Sequence, residues 1–191
     1  MKLLFIRHGE TTINEQGKVH KINDSATLTK KGKQQIRSVI PICSDHLVEH
    51  IYCSPEPRAV ESAHIISAAN HTSVEFLSEL RERNWGIWAE KPWGEIKKML
   101  DDKTLEDRYT FVPPEGESWQ QLTERLQKAL THIVSQKHKS VAIITHGGAL
   151  RALMPLLTQQ PLKTSLQYNF DNAAAVLFSY KNGVYTLIGA D

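Results

Sequence analysis

Three short, uninterrupted apolar runs constrain this chain most: Leu3 to Ile6, the run around His50 to Cys53, and Val141 to Thr145. Strands with one wet face alternate apolar and polar residues, so runs without alternation point to strands covered on both faces. Helical patterns lie between them. One spans Thr29 to Val39 with Thr29 as N-cap, and one spans Arg58 to Ala69, entered through Pro55 and Pro57. The longest spans Trp119 to Ser135, capped by Ser118, with Leu122, Leu126, Leu130 and Ile133 on one stripe. Gly147-Gly148 then leads into a helix from Ala149 to Leu157. Strands at Ala173 to Tyr180 and Val184 to Ile188 close around Asn182-Gly183, a hairpin turn dipeptide. Strands alternating with helices predict an α/β fold, a three-layer α/β/α arrangement with a mostly parallel central sheet.

The length of 191 residues suits one domain, residues 1–191, able to bury a core without disulfides or a structural metal. With 23 Lys plus Arg against 21 Asp plus Glu, the net charge of +2 speaks against nucleic acid as a partner. The longest basic runs are the pairs Lys30-Lys31 and Lys97-Lys98. The apolar run after Met1-Lys2 is too short for a signal sequence or a membrane span. Cys43 and Cys53 stand in no metal or redox spacing. A protein in the reducing cytoplasm, off the membrane, is expected.

In open α/β sheets, ligands bind beyond the carboxyl ends of the strands. Here the first strand runs into Arg7-His8-Gly9-Glu10-Thr11, the second into Ser54-Pro55-Glu56-Pro57-Arg58, and the third into His146-Gly147-Gly148. Two arginines and two histidines are thus predicted to converge on one edge. Guanidinium forks match phosphate oxygens, and a histidine beside them serves as proton carrier or nucleophile. Glycines after each histidine let backbone approach a ligand, and a helix starting at Gly148 would aim N–H groups at an anion. The convergent expectation is a phosphoanion site. Phosphate motifs of other folds are absent: Thr27 stands where a P-loop ahead of Gly32-Lys33 needs glycine, and neither G-x-G-x-x-G nor G-x-S-x-G occurs.

A longer series of motifs accompanies these ends: Asn14 after Arg7-His8-Gly9-Glu10-Thr11; Leu28-Thr29 with Gly32; and Ser54-Pro55 with Arg58-Ala59 and Ser62-Ala63. Leu80-Arg81-Glu82 with Trp85-Gly86, Pro114-Glu115-Gly116-Glu117-Ser118, and Thr145-His146-Gly147-Gly148 follow. In this order, from Arg7 to Gly148, the chain resembles the histidine phosphatase superfamily, also called the phosphoglycerate mutase-like family. The resemblance implies that His8 is a nucleophile that forms a phosphohistidine, with Arg7, Arg58, Asn14, His146 and Gly147 around the phosphate. It implies catalytic work for His146 and, for Glu82, the part of general acid and then base, with a pKa raised by the bound phosphate dianion and partial burial. Glu79 is the rival carboxylate. No metal and no cofactor are expected, because two arginines and a protonated His146 would supply the positive charge.

Several residues stay open between a site role and a structural one. Glu117 either orients an arginine at the pocket wall or sits in the first turn of a capped helix. Thr11 and Ser54 are phosphate contacts or ordinary loop hydroxyls. His46 and His50 share an i, i+4 spacing but lack a third metal ligand, and read as a solvated pair. His20, His64, His71, His132 and His138 receive no role. All four tryptophans fall within Trp85 to Trp119; the segment of about residues 85–117, which forms a lid in the family, holds three of them with Lys91, Lys97, Lys98 and Arg108.

That lid segment is shorter than in cofactor-dependent phosphoglycerate mutases, so the chain resembles the phosphatase branch, including broad-specificity and α-ribazole phosphatases. The expected activity is metal-independent hydrolysis of a small-molecule phosphomonoester. The alternatives are mutase-type phosphoryl transfer and a non-catalytic binder of phospho-ligands or phosphoproteins. The pairing of His8 with Glu82 speaks against the binder, because binding needs neither nucleophile nor acid.

Overall fold

The computed structural model describes residues 1–190. Six strands form one sheet in the order β3-β2-β4-β1-β5-β6: β1 (Lys2–Arg7), β2 (His50–Cys53), β3 (Ser73–Phe76), β4 (Ser140–Thr145), β5 (Ala175–Lys181) and β6 (Val184–Ala190). The first four in that spatial order run parallel, and the closing hairpin adds two antiparallel strands. The expected mostly parallel three-layer fold is therefore present.

Side-chain alternation along the central strands divides the core in two. Leu4 and Ile6 of β1 join Ile51 and Ile144 against α2 (Lys30–Asp45) and α3 (Pro57–Asn70). Leu3, Phe5, Val141 and Ile143 face α6 (Trp119–Ser135) and α7 (Gly147–Thr158). Each buried aliphatic contributes about 1.5–3 kcal/mol, and burial on both faces is what the unbroken apolar runs require. The expected caps form: Thr29 accepts from Gly32 N, and Ser118 and Gln121 make a capping box. Asn182 and Gly183 both take positive φ, as the hairpin turn demands.

The structure departs from the sequence reading in several places. α2 continues through Pro41 to Asp45 rather than stopping at Val39, and the closing strand starts at Ala175 because Ala173 turns with positive φ. β3 went unseen because a four-residue strand at the sheet edge is only half-covered and shows no apolar run. α1 (Thr12–Glu15), α4 (Trp93–Met99) and α5 (Leu105–Thr110) are too short for a helical period to show. His46 and His50 share no helix: His46 caps the end of α2, while His50 opens β2 and stacks on His138.

Residues 86–117 carry α4 and α5, and Trp93 of α4 lines the same cavity as Arg7 and His8. Trp85 meets Trp93 and Trp119 edge-on, and Ile96, Leu100 and Tyr109 are buried with them. Among the described residues, no helix is long and apolar enough to cross a membrane.

Candidate active site

β1 and β4 lie side by side and parallel, with Arg7 opposite Thr145, so Arg7-His8 and His146-Gly147 leave the sheet at the same level. β2 pairs with β4 on its other side and delivers Ser54 and, through the start of α3, Arg58. A cavity of about 300 Å³ opens there, with Arg7, His8, Asn14, Glu82, Gly147 and Gly148 among its lining. Arg58 and His146 are fully buried beneath it.

His8 is also buried, and its Nδ1–H donates to its neighbour's carbonyl, Gly9 O, at 2.8 Å. Burial, then the charges of Arg58 and Arg7, hold its pKa well below the ordinary value. The ring is therefore neutral near pH 7, and with Nδ1 committed as donor the unprotonated nitrogen is Nε2, a nucleophilic lone pair. Gly9 must be glycine because a Cβ there would overlap the Gly32 carbonyl.

His146 packs 5.1 Å from His8, ring centre to ring centre, and its Nε2 lies 2.7 Å from Ser54 Oγ. Ser54 Oγ also accepts from Glu56 N; where the Ser54 hydroxyl donates to Nε2, the His146 proton sits on Nδ1. A protonated His146 was expected; instead burial and the charges of Arg58 and His8 push its pKa well down, and it offers a neutral N–H. Permanent positive charge beside His8 comes from Arg7 and Arg58.

Four buried nitrogens of this group lack any partner among the described residues: Arg7 Nε, Arg58 Nε, Arg58 Nη2 and His146 Nδ1. The opposite sides of the same groups are tied down. Arg7 Nη1 donates to Phe170 O at 2.6 Å, and Arg58 Nη1 lies 3.4 Å from Asp24 and 3.5 Å from Glu56. Asn14, whose Oδ1 accepts from Thr11 and Asn172, keeps its amide nitrogen as the remaining donor. A buried donor without an acceptor costs about 1–3 kcal/mol, so this cluster is built to receive oxygens.

Glu82 lies at the N-terminus of α7. Its Oε2 accepts from Gly148 N at 3.0 Å and its Oε1 from Arg83 N at 2.7 Å. Gly148 leaves room for it, since a Cβ there would overlap the carboxylate. Glu79, the rival, bonds Ser78 outside the cavity lining. Glu117 precedes the cap Ser118 rather than lying in the first helical turn; it grips Arg125 through both oxygens, at 2.5 and 3.1 Å, and accepts from Asn84 N. Arg125 in turn donates to the carbonyls of Glu79, Arg81 and Glu82, at 2.7 to 2.9 Å, fixing the irregular segment that presents Glu82. Thr11 caps α1 and meets His20 rather than the cavity.

Three residues without a sequence-derived role matter here. His20 lines the cavity edge-on to His8, 5.8 Å away, with Nδ1 2.6 Å from Asp24, which also touches Arg58. The signal was present as His20 and Asp24 four residues apart. Arg125 lies on α6 one residue before Leu126 of its apolar stripe, and only the unnamed arginine beside Glu117 hinted at it. Arg83 is buried between Trp85 and Trp119, 4.2 and 4.8 Å from the ring centres, and burial lowers its pKa to about 9.

The family model of the histidine phosphatase superfamily (branch 1) matches residues 3–190. Phosphoglycerate mutase-like protein 4 of Arabidopsis thaliana is 34% identical over 161 residues, 80% of this chain and 69% of its own. A probable phosphoglycerate mutase GpmB of Shigella boydii is 27% identical over 197 residues, 99% of this chain and 89% of its own. Among solved structures, YhfR of Bacillus stearothermophilus matches with a TM-score of 0.85 at 26% identity, over 97% of this chain and 94% of that one. A putative alpha-ribazole-5'-P phosphatase from Escherichia coli shares the fold with a TM-score of 0.84 at 21% identity, over 98% and 94%.

Proposed function

The chain belongs to the histidine phosphatase superfamily, whose members transfer phosphoryl groups, and from that premise we propose that it hydrolyses a small phosphomonoester through a phosphohistidine on His8, without a metal. One observation carries this reading: unpartnered nitrogens of Arg7, Arg58 and His146 gathered around a neutral imidazole with Nε2 free. A phosphoryl group seated there is stabilised by two permanent charges and neutral donors, which is most of what such transfer asks of a protein. In the first step His8 Nε2 attacks phosphorus in line, the ester P–O bond breaks, and the leaving alkoxide takes a proton from the Glu82 carboxyl. In the second, Glu82 takes a proton from water, the oxygen attacks phosphorus, and the P–N bond breaks to give inorganic phosphate and neutral His8. The Gly9 carbonyl holds the Nδ1 proton through both steps. The buried, free thiols of Cys43 and Cys53 fit a reducing compartment such as the cytoplasm.

The test is a panel of phosphomonoesters in EDTA, with acid quench to trap labile phosphate on the protein. Turnover and trapped phosphate are expected in the wild type and neither in His8→Ala. Turnover that survives His8→Ala refutes the mechanism. The mutase reading draws support from the names of the Arabidopsis and Shigella relatives, and it predicts transfer of the trapped phosphate to an added phosphoglycerate faster than to water.

A further inference from the structure

The cavity extends past anything a lone phosphate would use. Two arginines line it, Arg7 and Arg151, and neither forms an ion pair among the described residues. Other arginines of the neighbourhood do: Arg58 meets Asp24 and Glu56, Arg81 meets Glu56, and Arg125 meets Glu117. Arg151 stands on α7 four residues after Gly147, hence on the same helix face and roughly 6 Å further along the axis. Its guanidinium lies over Trp93, 5.6 Å from the ring centre, and one nitrogen donates to Asn169 Oδ1 at 3.0 Å. Those two contacts aim the fork without neutralising it.

Beyond Arg151 the cationic surface continues. A second cavity of about 170 Å³ shares Trp93, Trp119 and Arg151 with the first and adds Lys97 and Arg108, with no carboxylate in its lining. With a phosphate held by Arg7 and Arg58, Arg151 still has no ion-pair partner among the described residues, whereas Arg108 past it meets Asp101 at 3.9 Å. We infer that the substrate is a phosphomonoester bearing a second anionic group, a carboxylate or another phosphate, held by Arg151 about one helical turn from the transferred phosphoryl group. This rests on the phosphatase reading of the same site.

Matched pairs test it: 3-phosphoglycerate against glycerol 3-phosphate, and fructose 1,6-bisphosphate against fructose 1-phosphate. Wild-type kcat/KM should favour the doubly anionic member of at least one pair tenfold or more, mainly through KM, and the pair that responds identifies the second group. In Arg151→Gln that ratio should fall toward one, while Arg151→Lys should keep part of it. A wild-type ratio near one in both pairs overturns the inference, as does an unchanged ratio in Arg151→Gln; the wild-type result decides even where the variant does not fold. Ligand-induced thermal shifts of His8→Ala protein with the same pairs keep the two readings apart. Absence of turnover on every ester sinks the phosphatase, while the ranking of shifts still tests Arg151.

Discussion

Replacing Gly148 by alanine separates the acid's placement from the stability of the fold. Gly148 is the second residue of α7 and its N–H holds Glu82 Oε2, while a Cβ would overlap Oε1 and lie 3.1 Å from the carboxyl carbon. The carboxylate must retreat by roughly an ångström, a misplacement that costs about 100-fold in rate. Stability responds weakly, because alanine gains about 1 kcal/mol of helix propensity over glycine, against about 1.5–3 kcal/mol for the weakened charged hydrogen bond. The net is about 0.5–2 kcal/mol, a fall in Tm of roughly 1–8 °C for a chain of this size. The assay reads kcat/KM for esters of graded leaving groups, since this quantity reports the phosphorylation step. Alkyl phosphates, whose leaving oxygen needs a proton, should lose about 100-fold, and p-nitrophenyl phosphate much less. Equal losses for both, or no loss, would refute the assignment of Glu82 as acid.

Three further outcomes follow from the same geometry. His8 and His146 are held neutral well below the pKa of about 6.5 they have when unfolded, so the unfolded chain binds more protons once pH drops under that value. Stability should be intact above it and decline by up to about 1.4 kcal/mol per pH unit for each ring as pH falls toward the folded values; urea titrations of wild type and His146→Asn check this, and equal slopes contradict it. Arg83→Ala empties the slot between Trp85 and Trp119 and should destabilise by about 3–5 kcal/mol, read by urea unfolding, with a change under 1 kcal/mol counting against the buried stack. Burial pushes the Cys43 thiol up to about 12 and raises that of Cys53 as well. A disulfide reagent should therefore label both only after unfolding; rapid labelling of the native protein would contradict this.

The central strands were legible in the chain because there local pattern and burial coincide: Leu3 to Ile6 and Val141 to Ile144 are apolar throughout and covered throughout. Strand ends inherit that legibility, so Arg7, His8 and His146 could be placed on one edge from spacing alone. Glu82 was reached through family resemblance, since it follows a short turn at Ser78–Leu80 rather than a strand. What failed to show depends on backbone that no period describes. His20 sits in an irregular loop whose path is set by contacts with Thr11, Asp24 and, through Asp24, Arg58. Arg125 acts on carbonyls, and a carbonyl carries no residue identity for a sequence to reveal. The protonation of His146 also depended on burial that a motif does not record.

The unfilled donors of Arg7, Arg58 and His146 have a consequence for the protein at rest. A fold that leaves such donors unmatched favours a small anion there, so inorganic phosphate, the product on the proposed reading, should stabilise the folded chain. Its contribution grows with concentration as RT ln(1 + [phosphate]/Kd), about 2.7 kcal/mol at a hundredfold excess over Kd. Melting temperature measured in phosphate and in a neutral amine buffer should differ accordingly. On the proposed phosphatase reading, free phosphate above its Kd would keep the site filled, and each ester molecule would enter by displacing the product of an earlier turnover.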